Sequence, residues 1–94
     1  MASVCTGAFL LAKAKVLIEH KVTTHWSDID ELRESFPSLQ VIENTRWVDE
    51  GRVLTSAGIS AGIDMSLHLV KKLHSLKLAT ITARQMEFDW QVSP

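Results

Sequence analysis

The hydrophobic and polar positions of this chain alternate in blocks that predict strands and helices in turn. Residues 1–4 form a very short strand that leads straight into a turn. Residues 6–18 are strong helix formers that are apolar on nearly every side. A helix that is apolar all round is buried by other elements rather than half exposed. Residues 21–26, KVTTHW, are rich in β-branched side chains and predict another brief strand.

The next block, residues 27–37, has the pattern of a surface helix. Ser27 is its predicted N-cap, and Pro37 stands just past its end. Asp28 and Asp30 lie in the first turn, where the helix dipole favours negative charge. The sequence therefore predicts a capped helix on the outside of the fold.

The second half of the chain predicts a strand pair and two helices. Residues 39–58 contain two β-branched arms that turn at residues 49–51, which include a glycine. A helix is predicted over residues 59–76 and another over residues 77–88. The predicted inward residues of the first are Ile63, Leu67, Val70 and Leu73, and those of the second are Leu78, Ile81 and Met86.

Strands that alternate with helices favour an α/β layered fold with a largely parallel sheet. A helix buried on all sides needs several neighbours, however, and this chain offers only one or two short parallel strands to cover it. The predicted sheet therefore lacks its other half.

Composition and charge narrow the class of protein further. The chain has 94 residues, 46% of them hydrophobic, and a net charge of −1. It is therefore not compositionally disordered, and no electrostatic attraction to nucleic acid or to an anionic membrane is expected. A single cysteine cannot form an internal disulfide, which favours a reducing, cytoplasmic compartment. No basic residue precedes the apolar residues 7–12, so they do not resemble a signal peptide, and no run is long enough to span a bilayer.

The only cysteine, Cys5, lies between the first strand and the apolar helix. It is either a small core residue or a nucleophile on a turn. A thiol at a helix N-terminus is stabilised as thiolate by the helix dipole and the free N–H groups. Gly7 has no side chain to obstruct the approach to sulfur, and Thr6 offers a hydroxyl beside it.

Four segments together resemble a known superfamily. They are SVCTGAFLLAKA (3–14), KVTTHW (21–26), RWVDEGRVLTSAGISAGIDMSLHLV (46–70) and RQMEFDWQ (84–91). They are similar to the C-terminal half of ThiJ/PfpI, or class I glutamine amidotransferase-like, proteins. The resemblance implies a partial flavodoxin-like three-layer sandwich with a nucleophile elbow, a β-hairpin and two C-terminal helices. It also implies that residues 1–94 are the C-terminal half of one domain whose N-terminal half is absent.

The resemblance assigns roles to individual residues. Cys5 takes the position of the nucleophile on the elbow, a strained turn between a strand and a helix. Thr6 resembles the threonine beside the nucleophile in isocyanide hydratases, whereas the peptidase-like members have histidine there, so an adjacent Cys–His dyad is excluded. Active-site neighbours by the same resemblance are Thr6, Gly7, His25, Ser56 and Gly58. No metal or cofactor is implied.

Several of these side chains also have a simpler interpretation. His25 is either an active-site residue that tunes the thiolate or a histidine at a strand end. Ser60 is most simply part of the start of a helix, and Asp64 a first-turn dipole residue. Trp26, Trp47 and Trp90 are expected in the core or an interface, with Trp26 also a candidate for lining a pocket. The remaining histidines, His20, His68 and His74, lack the spacing of metal ligands.

Two functions follow from the resemblance. The first is a cysteine-dependent isocyanide hydratase, a lyase, and the second is the ligand-sensing domain of an AraC-type regulator. In the family, an acidic residue from the first strand region bonds the cysteine sulfur, and no carboxylate here stands in that place. The fragment alone is therefore expected to be inactive. The end of the sequence at Pro94, with no DNA-binding module, favours the enzyme, and a truncated reading frame is a third interpretation. The expected partners are a small molecule and a second copy of the chain, with no membrane and no nucleic acid.

Overall fold

The computed structural model describes residues 1–94. It contains the strands β1 (Ala2–Val4), β2 (Lys21–Val22), β3 (Gln40–Val41), β4 (Trp47–Asp49) and β5 (Leu54–Ser56). The helices are α1 (Gly7–Lys13), α2 (Ile29–Ser35), α3 (Ile59–Leu73) and α4 (Leu76–Gln85), with a 3-10 turn at Trp26–Asp28 ahead of α2. The alternation of short strands and helices confirms the α/β class.

The strands form two small sheets rather than one. β1 pairs in parallel with β5, which pairs antiparallel with β4, and β2 pairs in parallel with β3. The predicted hairpin is present as β4–β5, and Gly51 at its turn has φ 87°, a conformation that glycine adopts without strain. The predicted strand over residues 21–26 is shorter than expected, because Thr23 donates its backbone N–H to the Thr55 hydroxyl instead of to a neighbouring strand.

Two hydrophobic clusters lie on opposite faces of β5. Val53, just before β5, packs with residues of α1, α2, β2 and β3, whereas Leu54, its neighbour, packs with Trp47 and Met65. Successive side chains of extended backbone point to opposite faces, so α1 and α2 cover one face and α3 covers the other. α4 packs against α3. This is the layered arrangement of a flavodoxin-like sandwich, as expected.

The first helix differs from its prediction. α1 ends at Lys13 instead of continuing to residue 18, because Lys15 adopts a positive φ of 62° and turns the chain. Ala8 and Ala12 are buried, but the Leu10 side chain is 72% exposed. The expectation that this helix is buried on every side is wrong for the chain as it stands.

The caps and inward faces of the later helices also need correction. Ser27 is not the N-cap of α2; that position is Asp28, and Ser27 lies inside the preceding 3-10 turn. In α3 the predicted Leu67 is buried, but Leu73 is exposed. The residues that the prediction placed inward on α4 are exposed: Leu78, Ile81 and Met86. Instead Ala79 and Ala83 are buried, because small side chains allow α4 to approach its neighbour closely.

Asp49 joins the hairpin turn to α3. Its carboxylate accepts hydrogen bonds from the Gly51 N–H and the Lys72 ammonium, both at 2.8 Å, and pairs with His68 Nε2 at 2.8 Å. The His68 ring stacks on Trp47 with the centroids 4.0 Å apart. Burial raises the pKa of Asp49, but the hydrogen bonds from His68, Lys72 and Gly51 and the charge of Lys72 outweigh it and lower that pKa from 3.8 to about 2.

We therefore predict that Asp49→Asn lowers the free energy of unfolding at pH 7 by about 1 kcal/mol, because each pKa unit corresponds to about 1.4 kcal/mol and solvent screening reduces the contribution of this partly exposed carboxylate. A carboxyl whose pKa is lower in the folded state stabilises the fold above its unfolded value. That contribution is lost as the pH falls from about 4 to about 2. Urea unfolding at several pH values measures the difference. Asp30→Asn, at a 93% exposed side chain, is the control and should change stability little. A difference that is independent of pH would contradict the prediction.

Candidate functional site

Cys5 lies on a tight turn between β1 and α1. Its φ of 54° is in the left-handed region, which a residue with a side chain adopts only under strain. The Cys5 N–H lies 3.1 Å from the Ser56 carbonyl and 2.9 Å from the Ala57 carbonyl. The Thr24 hydroxyl donates to the Cys5 carbonyl at 2.7 Å. Both polar groups of the Cys5 backbone are thus held, and the turn has the geometry expected of a nucleophile elbow.

The two residues after Cys5 begin α1. Thr6 is its N-cap, is exposed, and makes no side-chain cap hydrogen bond. Gly7 passes close to β1, since a Cβ at this position would lie 3.2 Å from the Ser3 Cβ. A residue with a side chain at position 7 would therefore crowd the strand that carries the cysteine.

A cavity of about 570 Å³ lies beside the elbow. His25 and Gly58 line it, together with Thr24 and Ala57, the two lining residues that hydrogen-bond the Cys5 backbone. A Cβ on Gly58 would lie 3.6 Å from the His25 ring, so the two residues are neighbours. Cys5 itself does not line this cavity. The predicted residues are therefore divided between the elbow and the adjoining cavity, and Thr24 and Ala57 connect the two.

His25 has a defined orientation at the cavity wall. Its Nδ1 accepts a hydrogen bond from the Ser27 backbone N–H at 3.2 Å and lies 2.8 Å from the Ser27 hydroxyl. A backbone N–H can only donate, so Nδ1 carries no proton and the neutral ring is protonated at Nε2. The Trp26 ring lies 5.5 Å from that of His25 and also lines the cavity, although Trp26 is 80% exposed.

Ser56 supports the elbow from inside the sheet. Its side chain is fully buried, and its hydroxyl lies 3.3 Å from the Ser3 carbonyl that it donates to. It neighbours Cys5 through its own carbonyl rather than through its hydroxyl. Ser56 therefore holds the turn and does not face the cavity.

An ion pair between the buried Asp64 and the partly exposed Arg46 was not predicted from the sequence. Asp64 is fully buried and accepts hydrogen bonds from Arg46 Nε at 2.8 Å, from Arg46 Nη2 and, on its other oxygen, from the Gln91 N–H at 2.8 Å. The interpretation of Asp64 as a simple first-turn residue is therefore wrong. Arg46 is 38% exposed and lines the cavity. Its carbonyl accepts from the Ala57 N–H at 2.8 Å, which links the pair to the loop beside Cys5.

The site contains no acid–base partner for the thiol. No carboxylate is hydrogen-bonded to Cys5, and the one carboxylate that lines the cavity, Glu43, lies 3.8 Å from Arg33. No group of three or more His, Cys, Asp or Glu side chains is arranged to hold a metal ion. None of the helices combines the length and the apolar character that crossing a membrane requires.

A layered α/β fold with a cysteine on a strained strand–helix turn defines a class of proteins built around a nucleophile elbow. The profile of the DJ-1/PfpI family matches residues 1–72, and the chain belongs to that family. A crystal structure of a ThiJ/PfpI family protein from Pseudomonas syringae superposes with a TM-score of 0.81 at 32% identity, over 96% of this chain and 36% of that one.

Two of the curated relatives with functional names are each at least 38% identical to this chain. The HTH-type transcriptional regulator CdhR of Pseudomonas aeruginosa is 39% identical over 80 residues, which are 85% of this chain and 24% of that protein. The isonitrile hydratase of Pseudomonas putida is 38% identical over 87 residues, 92% of this chain and 36% of that protein. The chain thus spans about a quarter to a third of the length of these relatives.

Proposed function

We propose that this chain is the C-terminal half of a domain that hydrates isocyanides to N-substituted formamides, with Cys5 as the nucleophile. The observation that carries the proposal is the positive φ of Cys5, fixed on both sides by hydrogen bonds, at the start of α1. Strain of this kind costs about 1–3 kcal/mol and persists where the surroundings enforce it, which is characteristic of functional sites. The similarity to the isonitrile hydratase supplies the substrate class.

The proposed reaction proceeds in two steps through a covalent intermediate. The Cys5 thiolate adds to the terminal carbon of R–NC while that carbon takes up a proton, which gives the thioimidate R–N=CH–S–Cys5. Water then adds to the same carbon, the C–S bond breaks, and R–NH–CHO leaves as the thiol is regenerated. One water is consumed for each isocyanide. Such covalent catalysis replaces one difficult addition by two easier ones.

In the same proposal the cavity beside the elbow receives the organic substituent of the substrate. Its wall includes Trp26 and Ile29 as apolar surface and His25 with an Nε2 proton as a hydrogen-bond donor. The proposal assigns the group that activates the attacking water to the half of the domain that precedes β1 in longer relatives. The single cysteine is consistent with a cytoplasmic location, where thiols remain reduced.

A second function is favoured by the similarity to CdhR. In this alternative the same cavity binds a small ligand, and the domain controls a DNA-binding module in the complete protein. The two functions are separated by assaying formamide production in a protein in which the N-terminal half of a DJ-1/PfpI domain has been placed before Met1. Turnover supports the hydratase, whereas ligand binding without turnover supports the sensor.

We further propose that the 94-residue chain self-associates. β1 pairs only with β5, so its other edge is unpaired, and several apolar side chains next to the first turns of α1 and α3 are exposed. Among them are Val4 at 42%, Leu10 at 72% and Ile59 at 82%. Unpaired edges and contiguous apolar surface favour association with another chain.

Sedimentation velocity at micromolar concentration should therefore show a dimer or a larger assembly. The double variant Leu10→Lys/Ile59→Lys should shift the distribution towards the monomer, because it places charge on the apolar surface. Glu34→Lys, on an exposed position of α2, is the control and should leave the distribution unchanged. A compact, cooperatively unfolding monomer of the unmodified chain would refute this prediction.

A further inference from the structure

We propose that Thr24 is the positioning residue that holds the Cys5 thiol in its reactive orientation and connects the elbow to the cavity. The inference rests on the proposed function, because it concerns the nucleophile of that reaction. Thr24 lies two residues beyond β2, in a segment that is 19 positions away from Cys5 in the chain. The Thr24 side chain takes no part in the two proposed steps of isocyanide hydration.

The orientation of the Cys5 thiol is linked to the strain in the Cys5 backbone. With φ at 54°, the Cys5 backbone has a lower-energy alternative at negative φ, and a change of φ rotates the Cα–Cβ bond and with it the sulfur. The orientation of the thiol therefore depends on the groups that hold the peptide units on either side of Cys5. The N–H side is held by two carbonyls at the end of β5.

The carbonyl side is held by a side chain. The Thr24 hydroxyl donates to the Cys5 carbonyl at 2.7 Å, a short hydrogen bond, and Thr24 is only 1% exposed. A bond of this kind in a buried place cannot be replaced readily by water. Valine would occupy the same volume but would leave the carbonyl without its donor, so volume and hydrogen bonding can be separated experimentally.

Thr24 also lines the cavity beside the elbow and directly precedes His25, whose ring forms part of the cavity wall. One residue thus contacts both the strained turn and the space in which a substrate would lie. Fixing this residue sets the position of the thiol relative to the ligand, which is the requirement for a near-attack geometry.

The experiment measures the rate of Cys5 alkylation by iodoacetamide in the 94-residue chain, relative to the same chain unfolded in urea. Thr24→Val should slow alkylation of the folded chain about tenfold, the factor that corresponds to one lost hydrogen bond. Thr24→Ser keeps the hydroxyl and should keep the rate of the unmodified chain. The matched control is Thr55→Val. Thr55 is equally buried, but its hydroxyl accepts from the Thr23 N–H and makes no hydrogen bond to Cys5.

A slow Thr24→Val with normal rates for Thr24→Ser and Thr55→Val supports the proposal. Equal rates for Thr24→Val and the unmodified chain overturn it, as does a Thr55→Val variant that is as slow as Thr24→Val. If Cys5 in the unmodified chain reacts no faster than in urea, the nucleophile of the proposed function fails and Thr24 loses its role with it. Circular dichroism, with an excluded osmolyte added where needed, ensures that each variant is compared in its folded state.

Discussion

Under the proposed hydratase function, Cys5→Ser should abolish formamide production in a protein in which the N-terminal half of a DJ-1/PfpI domain has been placed before Met1. This is the largest effect expected of any single substitution in the chain. A serine hydroxyl is far less ionised than a thiol, so the first addition to the isocyanide carbon loses its nucleophile. The loss of a covalent nucleophile lowers turnover by about 10⁴-fold or more. The side chain keeps its size, so the elbow and its hydrogen bonds through the Cys5 backbone should remain.

The same assay distinguishes the extended protein from the 94-residue chain. General acid–base assistance contributes about 10²–10⁴-fold to reactions of this kind. No carboxylate is hydrogen-bonded to Cys5 in the structure, and we therefore expect the chain alone to be alkylated at Cys5 but to produce no formamide.

Turnover by the 94-residue chain would mean that another residue replaces the missing acid, and Glu43 in the cavity would be the first to test. Turnover by the Cys5→Ser protein would remove Cys5 from the mechanism. If the extended protein binds ligand but yields no formamide, the sensor function replaces the hydratase.

The features that the sequence predicts well depend on neighbouring residues. The elbow is encoded by a brief strand, Cys5 and Gly7 within a few positions, and the structure has the turn there. The β4–β5 hairpin follows from two β-branched arms and Gly51, whose positive φ the turn uses. In both places one or two residues restrict the local backbone, so no knowledge of the rest of the fold is needed.

Features that depend on distant contacts were missed or misplaced. α4 presents Ala79 and Ala83 to its neighbour and leaves its larger apolar side chains exposed. The periodic spacing of apolar residues shows that a helix has a buried face. It does not show which neighbouring element covers that face or how closely the two pack. Thr24 and Cys5 are 19 positions apart, and no local pattern relates them. The hydroxyl bond could be found only once β2 was placed beside the elbow.

The Arg46–Asp64 ion pair is the clearest example of a contact between distant residues that the sequence could not predict. The two residues are 18 positions apart, one just before β4 and the other inside α3. An aspartate near the beginning of a helix is ordinarily explained by the helix dipole, which requires no partner. Its complete burial could not be read from the sequence, because its two hydrogen-bond partners come from the segment before β4 and from the C-terminal segment.

Because Asp64 is fully buried, removing its partner Arg46 should have the largest effect on stability of the substitutions described. Arg46→Met should lower the free energy of unfolding by about 3 kcal/mol, because breaking the ion pair of a buried carboxylate leaves an uncompensated charge. Small domains have only about 5–15 kcal/mol of stability in total, so much of the fold's margin would be lost. The Asp64 carboxylate would retain only the Gln91 N–H as a partner. Urea unfolding followed by circular dichroism measures the change.

Two further variants test this explanation. Arg33→Met is the matched control, because Arg33 is as exposed as Arg46 but its partners, Asp30 and Glu43, are themselves exposed and lie 3.8 Å away. Apart from these pairs, Arg33 donates one hydrogen bond, to the Val41 carbonyl at 3.0 Å. Exposed pairs of this kind contribute about 0–1 kcal/mol, so the control should remain close to the unmodified chain. Adding Asp64→Leu to Arg46→Met removes the unpaired charge and should recover part of the lost stability, which a double-mutant cycle quantifies. If Arg46→Met is no more destabilising than Arg33→Met, the pair is not a determinant of the fold, and Asp64 must be satisfied by the tail and by water that reaches it.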